Sequence, residues 1–262
     1  MPRSTLIVLA LVVLPASAFA TRPLATDRPD RTESPYSVPA GWLQVETDLV
    51  SHGRFERDDV SVTGTTVFAF NAKYGLTRRV DAQFVFAPWF RAHTERSGLP
   101  TEENSGTGQA GLRAKINLVG NDRGNSAIAL LPFAFVPTRG DAIFDAVTWG
   151  LVAPVSFGLD GDRAFSAMVG FVRLNNEDTW LISSFSLASP IAGNLAAFVE
   201  VYVAMSGFEE GAPNDTTIDS GLTYALGPDW QLDTGVYYGI TSSTEDWRVF
   251  AGASARFSLS SP

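Results

Sequence analysis

Cysteine is absent from the 262 residues, so no disulfide can hold the chain, and only two histidines and three methionines are present. An exported protein of this size without disulfides has to be held by its own core or by closed strand pairing, which excludes the small cross-linked secreted scaffolds. Clusters of Lys or Arg are also missing: 19 basic residues face 28 acidic ones, a formal net charge of -9. Phosphate binding needs the opposite sign, so nucleic acid is excluded as a partner. After residue 20 no apolar run reaches eighteen residues, so no helix of this chain spans a bilayer. If the chain enters a membrane, it does so as strands.

The first twenty residues, MPRSTLIVLALVVLPASAFA, carry Arg3 in a short basic start, an apolar run from Leu6 to Leu14 and small residues at Ala18 and Ala20. This is the n-region, h-region and A-x-A pattern of a secretory signal peptide, with cleavage expected after Ala20. Residues 21 to 40 form a proline-broken, charge-rich lead-in, and residues 41 to 262 read as one domain.

Past Pro39 the period is two. Twelve alternating segments are expected, at about 41 to 52, 62 to 74, 80 to 90, 107 to 118, 126 to 136, 146 to 157, 164 to 174, 179 to 188, 195 to 206, 215 to 226, 230 to 240 and 246 to 258. In the fourth, Leu112, Ala114, Ile116 and Leu118 share one face while Arg113, Lys115 and Asn117 share the other. Segments five, seven and eight alternate poorly, with apolar residues on both faces, and their register is not fixed by the pattern.

Alternation suits either a soluble sandwich or a membrane barrel that turns its apolar face to lipid. Glu46, Asp48, Lys73, Asp81, Arg113, Lys115, Glu200, Asp219, Asp233, Arg248 and Arg256 all fall mid-strand on the polar face. Polar linkers at Gly53 to Ser61, Arg91 to Gly106 and Gly207 to Asn214 alternate with tight turns at Gly75 to Arg79, Leu159 to Asp162 and Gly227 to Asp229, the asymmetry of outer-membrane barrels. Aromatics gather near segment ends at Trp42, Tyr74, Trp89, Phe90, Trp180, Trp230 and Trp247, where an interfacial girdle would place them. The fold expected is an all-β, closed antiparallel transmembrane barrel of about twelve strands, since an even count leaves no open edge in lipid. The eleven charged residues are then the expected pore lining.

Thr26-Asp27-Arg28-Pro29-Asp30, Ser34-Pro35, Val38-Pro39 and Gly41-Trp42-Leu43-Gln44-Val45-Glu46 make an opening that resembles the outer-membrane barrel transporters labelled for the MetA pathway of phenol degradation. Tyr74-Gly75-Leu76-Thr77 leading into Val80-Asp81, the glycine-led strand from Gly106 to Lys115 and the close from Gly252 to Phe257 extend the resemblance over the whole mature chain. Gln109 stands where the family often has an acid, Arg139 follows Pro137-Thr138 in place of glycine, and Ser258 to Pro262 run past the terminal aromatic. The resemblance implies a twelve-stranded barrel in the cell outer membrane with a periplasmic lead-in. Its phenolic substrate is a matter of the label, which no residue selects.

The lead-in has its own physical reading. Pro23, Pro29, Pro35 and Pro39 forbid ladder pairing, so Asp27, Arg28, Asp30, Arg31 and Glu33 are expected either to fold back on the polar lining as a plug or to form a solvated tether.

Other motifs carry less. Gly106-Thr-Gly108-Gln-Ala-Gly111 matches a dinucleotide fingerprint by letter, but a strand rather than a helix follows, so the glycines read as bends in a barrel wall. His52 and His93 sit near segment ends, where Asp58 or Ser97 could partner them in a rim hydrolase; no motif surrounds either. The acidic pairs Asp58-Asp59, Glu102-Glu103, Glu209-Glu210 and Asp141 with Asp145 lack calcium-loop spacing. No enzyme activity, cofactor or metal is therefore expected. The expected partners are outer-membrane lipid, lipopolysaccharide and a small solute. Passage of small solutes through a polar lumen is the leading function, with a non-transporting structural or adhesion barrel and, behind it, an outer-membrane hydrolase as alternatives.

Overall fold

The computed structural model of the chain describes residues 22–122, 124–138, 146–174, 179–207 and 214–259. The expected leader through Ala20, the residue Arg139 and the acidic pairs Asp141 with Asp145 and Glu209-Glu210 lie outside the described residues, as does the end at Pro262.

The described residues form fourteen strand segments in one sheet and no helix. They are β1 (Trp42–Arg57), β2 (Val60–Gly75), β3 (Val80–Phe86), β4 (Trp89–Arg96), β5 (Glu102–Gly106), β6 (Ala110–Val119), β7 (Ser126–Val136), β8 (Thr148–Leu159), β9 (Arg163–Leu174), β10 (Thr179–Ala192), β11 (Leu195–Met205), β12 (Asn214–Ala225), β13 (Trp230–Gly239) and β14 (Trp247–Ser258). Every pairing between them is antiparallel, and β1 pairs with both β2 and β14, which closes the ring. The inner part of β2 pairs with β3 and its outer part with β4, while β6 continues β5. Fourteen segments therefore occupy twelve positions in the wall.

Each interruption has a local cause. Pro88 cannot donate to a ladder and separates β3 from β4. One strand over, the chain breaks at Thr107 to Gln109, where the Gly108 N–H still reaches the Ala87 carbonyl at 2.8 Å. Gly106 to Gly111 is thus a bend between two strands. Near the same level Leu49 bulges against β14, and Leu49 and Phe68, the latter at φ 55°, both drop out of the β1–β2 pairs, so outward residues fall next to each other at Leu49-Val50.

Two expected linkers are strands for most of their length. β1 runs to Arg57 and turns at Asp58-Asp59, and Arg91 to Gly106 is largely β4 paired with β5. These outer strand ends are polar on both faces, with Arg91, Arg96 and His93 set against Glu102 and Glu103, so they lack the apolar alternation that marks a strand in lipid.

The outward face is apolar over the whole ring. Leu112 is 69% exposed, Val199 56% and Tyr238 58%, with Phe185, Val169 and Ile218 among their neighbours. Apolar exposure on this scale belongs against hydrocarbon, not water. A charge placed there tests the orientation directly: Val199→Arg is expected to cost about 2–4 kcal/mol of barrel stability in lipid vesicles. On a water-facing surface the same change stays within about 0.5 kcal/mol. Urea unfolding of the two proteins in vesicles separates the values.

The aromatic girdle is smaller than expected. Trp89, Trp230 and Trp247 lie on the outward face, and Trp247 meets the His52 ring at 5.7 Å. Trp180 instead packs inward against a buried cluster of Leu131, Val152, Met168, Ile182 and Ala204, and Trp42 turns inward beneath Arg256.

Candidate functional site

Strand parity puts all eleven charged candidates on the inner face. Lys73, Lys115, Glu46, Glu200, Asp81, Asp219, Asp233 and Arg256 are buried there, while Asp48, Arg113 and Arg248 are half-buried. None of these charges meets lipid, and most are met from inside by the lead-in.

The chain from Arg22 to Gly41 enters the ring at the end where both described termini lie, climbs to about Arg31 and returns to start β1. At the bottom the Arg22 carbonyl accepts from Arg256, itself bound to Asp229 at 2.6 Å. Asp27 sits between Lys115, at 2.5 Å, and Lys73, which also contacts Glu46. Arg28 reaches across to Asp233 at 2.7 Å and Asp48. Its guanidinium occupies the space a Cβ at position 252 would need, so Gly252 lets Arg28 lie close against the wall. Higher up, the Tyr237 hydroxyl donates to the Pro29 carbonyl at 2.8 Å, and the Arg31 N–H donates to Glu200 at 2.7 Å. Thr32 bonds both Ser184, at 2.6 Å, and Glu200.

Descending again, Glu33 pairs with Arg113 at 2.5 Å, Asn117 donates to the Pro35 carbonyl and Asp81 accepts the Val38 N–H, the last two at 2.8 Å. The Gly41 N–H then reaches the Gly75 carbonyl at 2.9 Å, and Gly75 leaves the room that the Pro39 carbonyl occupies.

Proline explains why this segment is met by side chains. With ring nitrogens at 29, 35 and 39 it cannot extend a ladder, so its remaining donors and acceptors turn to the inner face of the wall. The partners lie far apart in sequence, as with Arg28 and Asp233, and no local pattern reveals them.

The inner face is not uniformly polar. From β7 to β11 much of it is apolar: Ala127, Ala129, Leu131, Phe133 and Phe135 follow one another along the whole of β7, joined in the outer half by Val152, Met168, Ile182 and Tyr202. This departs from the expected plain division into greasy outside and charged inside. It also explains segments five, seven and eight, where lipid and lumen both take apolar residues and alternation vanishes.

The histidines stand away from this interior. His52 Nδ1 shares a hydrogen bond with Thr65 Oγ1 at 2.8 Å, and His93 lies between the carboxylates of Glu95 and Glu103 on the outer strand ends. Neither Asp58 nor Ser97 is its partner in these contacts. At the same rim hydrogen bonding from Arg57 holds the Asp246 carboxyl below its usual range.

Residues 26–257 match the family model described as "Putative MetA-pathway of phenol degradation". The chain belongs to this family. A comparison with curated proteins found no match. Among solved structures it is similar to an outer membrane channel from Pseudomonas putida F1, with 15% identity and a TM-score of 0.66 over 85% of this chain and 97% of that one. It is also similar to the translocator domain of the autotransporter NalP from Neisseria meningitidis, with 11% identity and a TM-score of 0.52 over 83% and 89% of the two chains. The beta domain of the Bordetella autotransporter BrkA gives 14% identity and a TM-score of 0.52 over 82% and 98%. At these identities the likeness shows the barrel fold of this chain and nothing further.

Proposed function

We propose that the protein is an outer-membrane channel for small solutes, with the eleven inward charges as its lining and residues 22–36 as a displaceable plug. One observation carries the reading. The interior is filled by a single continuous length of chain held through side-chain hydrogen bonds and ion pairs, whereas the wall is held by its own ladders. Such a segment can leave as a unit without costing the ring a strand. A barrel with only a structural role would close its lumen by pairing wall to wall; here Arg28, Asp27 and Glu33 supply most of the pairing partners.

A pore of this kind selects by side chains that replace part of a solute's hydration. Planar-bilayer recording of the refolded protein tests it, with Glu200→Lys as the second arm. The expected result is a small conductance whose reversal potential in a salt gradient moves toward anion preference in the variant. A bilayer that stays silent with the wild type and also with a chain lacking residues 22–36 would overturn the channel.

A further inference from the structure

Between the lead-in and the apolar wall lies a cavity of about 240 Å³. Leu131, Phe133, Val152, Met168, Ile182 and Tyr202 line its wall side together with Arg113 of β6, and Arg31 and Glu33 line the other. A closed apolar cavity of roughly 150 Å³ is known to take benzene, so this one has room for a single substituted ring.

Among the side chains that line the cavity itself the charges do not balance. Arg22, Arg28, Lys73, Arg113, Lys115, Arg248 and Arg256 each face a carboxylate. Arg31 forms no ion pair among the described residues. Its guanidinium lies 3.5 Å from the Tyr202 ring centre and donates to the Thr217 hydroxyl at 3.4 Å, on the side of Asp219. On the side of the apolar chamber a guanidinium gains a charge-assisted hydrogen bond when it meets a carboxylate. The Arg113 Nε–H is buried and has no hydrogen-bond partner either. Two guanidiniums thus share the chamber with one carboxylate. Arg31 also borders a second cavity of about 300 Å³ on the outer side, with Asp215, Thr217, Tyr237, Glu245 and Arg248, so it stands between an aqueous antechamber and the apolar chamber.

We propose that the chamber binds a small monocyclic carboxylate, its ring against Phe133 and Met168 and its carboxylate on Arg31 and the Arg113 Nε–H. Thioether and aromatic edges suit a flat ring. A neutral ring leaves the two guanidiniums of the lining with Glu33 alone, and a short aliphatic acid leaves the wall uncovered. The assignment deepens the channel reading, on which it rests for its role in passage though not for binding itself.

Benzoate is the probe, with phenol and acetate as comparators, measured by equilibrium dialysis against the full chain refolded in detergent free of aromatic groups. Saturable binding of benzoate is expected at one per chain, at least about tenfold tighter than either comparator, the size of one charge-assisted hydrogen bond. Arg31→Gln lies outside the strand ladder, so the wall survives, and it is expected to weaken benzoate by at least about tenfold while leaving phenol unchanged. Val152→Phe fills the chamber and is expected to abolish binding of both; should that variant not fold, the Arg31→Gln comparison alone decides. Benzoate held no better than phenol, or equally by wild type and Arg31→Gln, overturns the assignment. Conductance in potassium chloride without benzoate is read separately. A conducting protein that ignores benzoate sinks this inference and spares the channel, and one that binds it but stays silent both whole and without residues 22–36 does the reverse.

Discussion

Removal of residues 22–36 raises single-channel conductance severalfold and steadies the open level. The segment crosses the lumen twice, from Arg22 up to Arg31 and back to Ser37, so its loss frees most of the interior cross-section. The wall stays, because each of its twelve positions is hydrogen-bonded to two neighbours and the ring contains no residue of the deleted stretch. Residues 37–41 are kept, since Ser37 on Asn121, Val38 on Asp81 and Gly41 on Gly75 fasten the start of β1. Recordings of the two proteins under one salt condition decide the matter. Equal conductance means that the segment does not limit flow.

Lys73→Met lowers the stability of the full-length barrel by about 3–5 kcal/mol, the usual cost of removing one partner from a buried ion pair. Lys73 is 1% exposed and touches both Asp27 and Glu46, so the change leaves two carboxylates near each other with one cation fewer. Repeating it in the chain without residues 22–36 is the informative step. Asp27 is then gone and water reaches Glu46, so the cost falls to about 0–1 kcal/mol, as for an exposed pair. Urea unfolding of the four proteins in vesicles gives the coupling between position 73 and the segment. Identical costs in both backgrounds would show that the segment does not enclose Lys73.

Most of the wall could be read from the sequence because lipid enforces one rule on every strand that crosses it. Leu112, Ala114 and Ile116 had to face hydrocarbon, which placed Arg113 and Lys115 inside by parity alone. Where the inner side also became apolar the rule lost its contrast. Along β7 neither Leu131 nor Pro132 announces a side, and only the finished ring does so. A weak trace was present in the ninth segment, where Phe198 and Tyr202 share a face with Glu200: aromatic residues on the polar side already pointed to a partly apolar interior. Outside the membrane the rule no longer applied, and the polar outer ends of β4 and β5 passed for loop.

The candidate site divides in the same way. The eleven inward charges followed from period two, but their partners did not, because an ion pair such as Arg28 with Asp233 depends on a closure that no local window contains. Arg31 carried no sign of its isolation. Having no ion pair among the described residues is a property of the whole charge arrangement.

The seam has a consequence for how the molecule is assembled. Trp42 pairs with Ser258 and Arg54 with Trp247, so the first strand waits for the last one made, and the bond that completes the cylinder joins the most distant parts of the wall. Until then the growing sheet has two bare borders, and the stretch ahead of Trp42 lies on its concave side next to Lys73 and Lys115. Zipping the seam around that stretch shuts it in, so closure of the cylinder and enclosure of its occupant are one event.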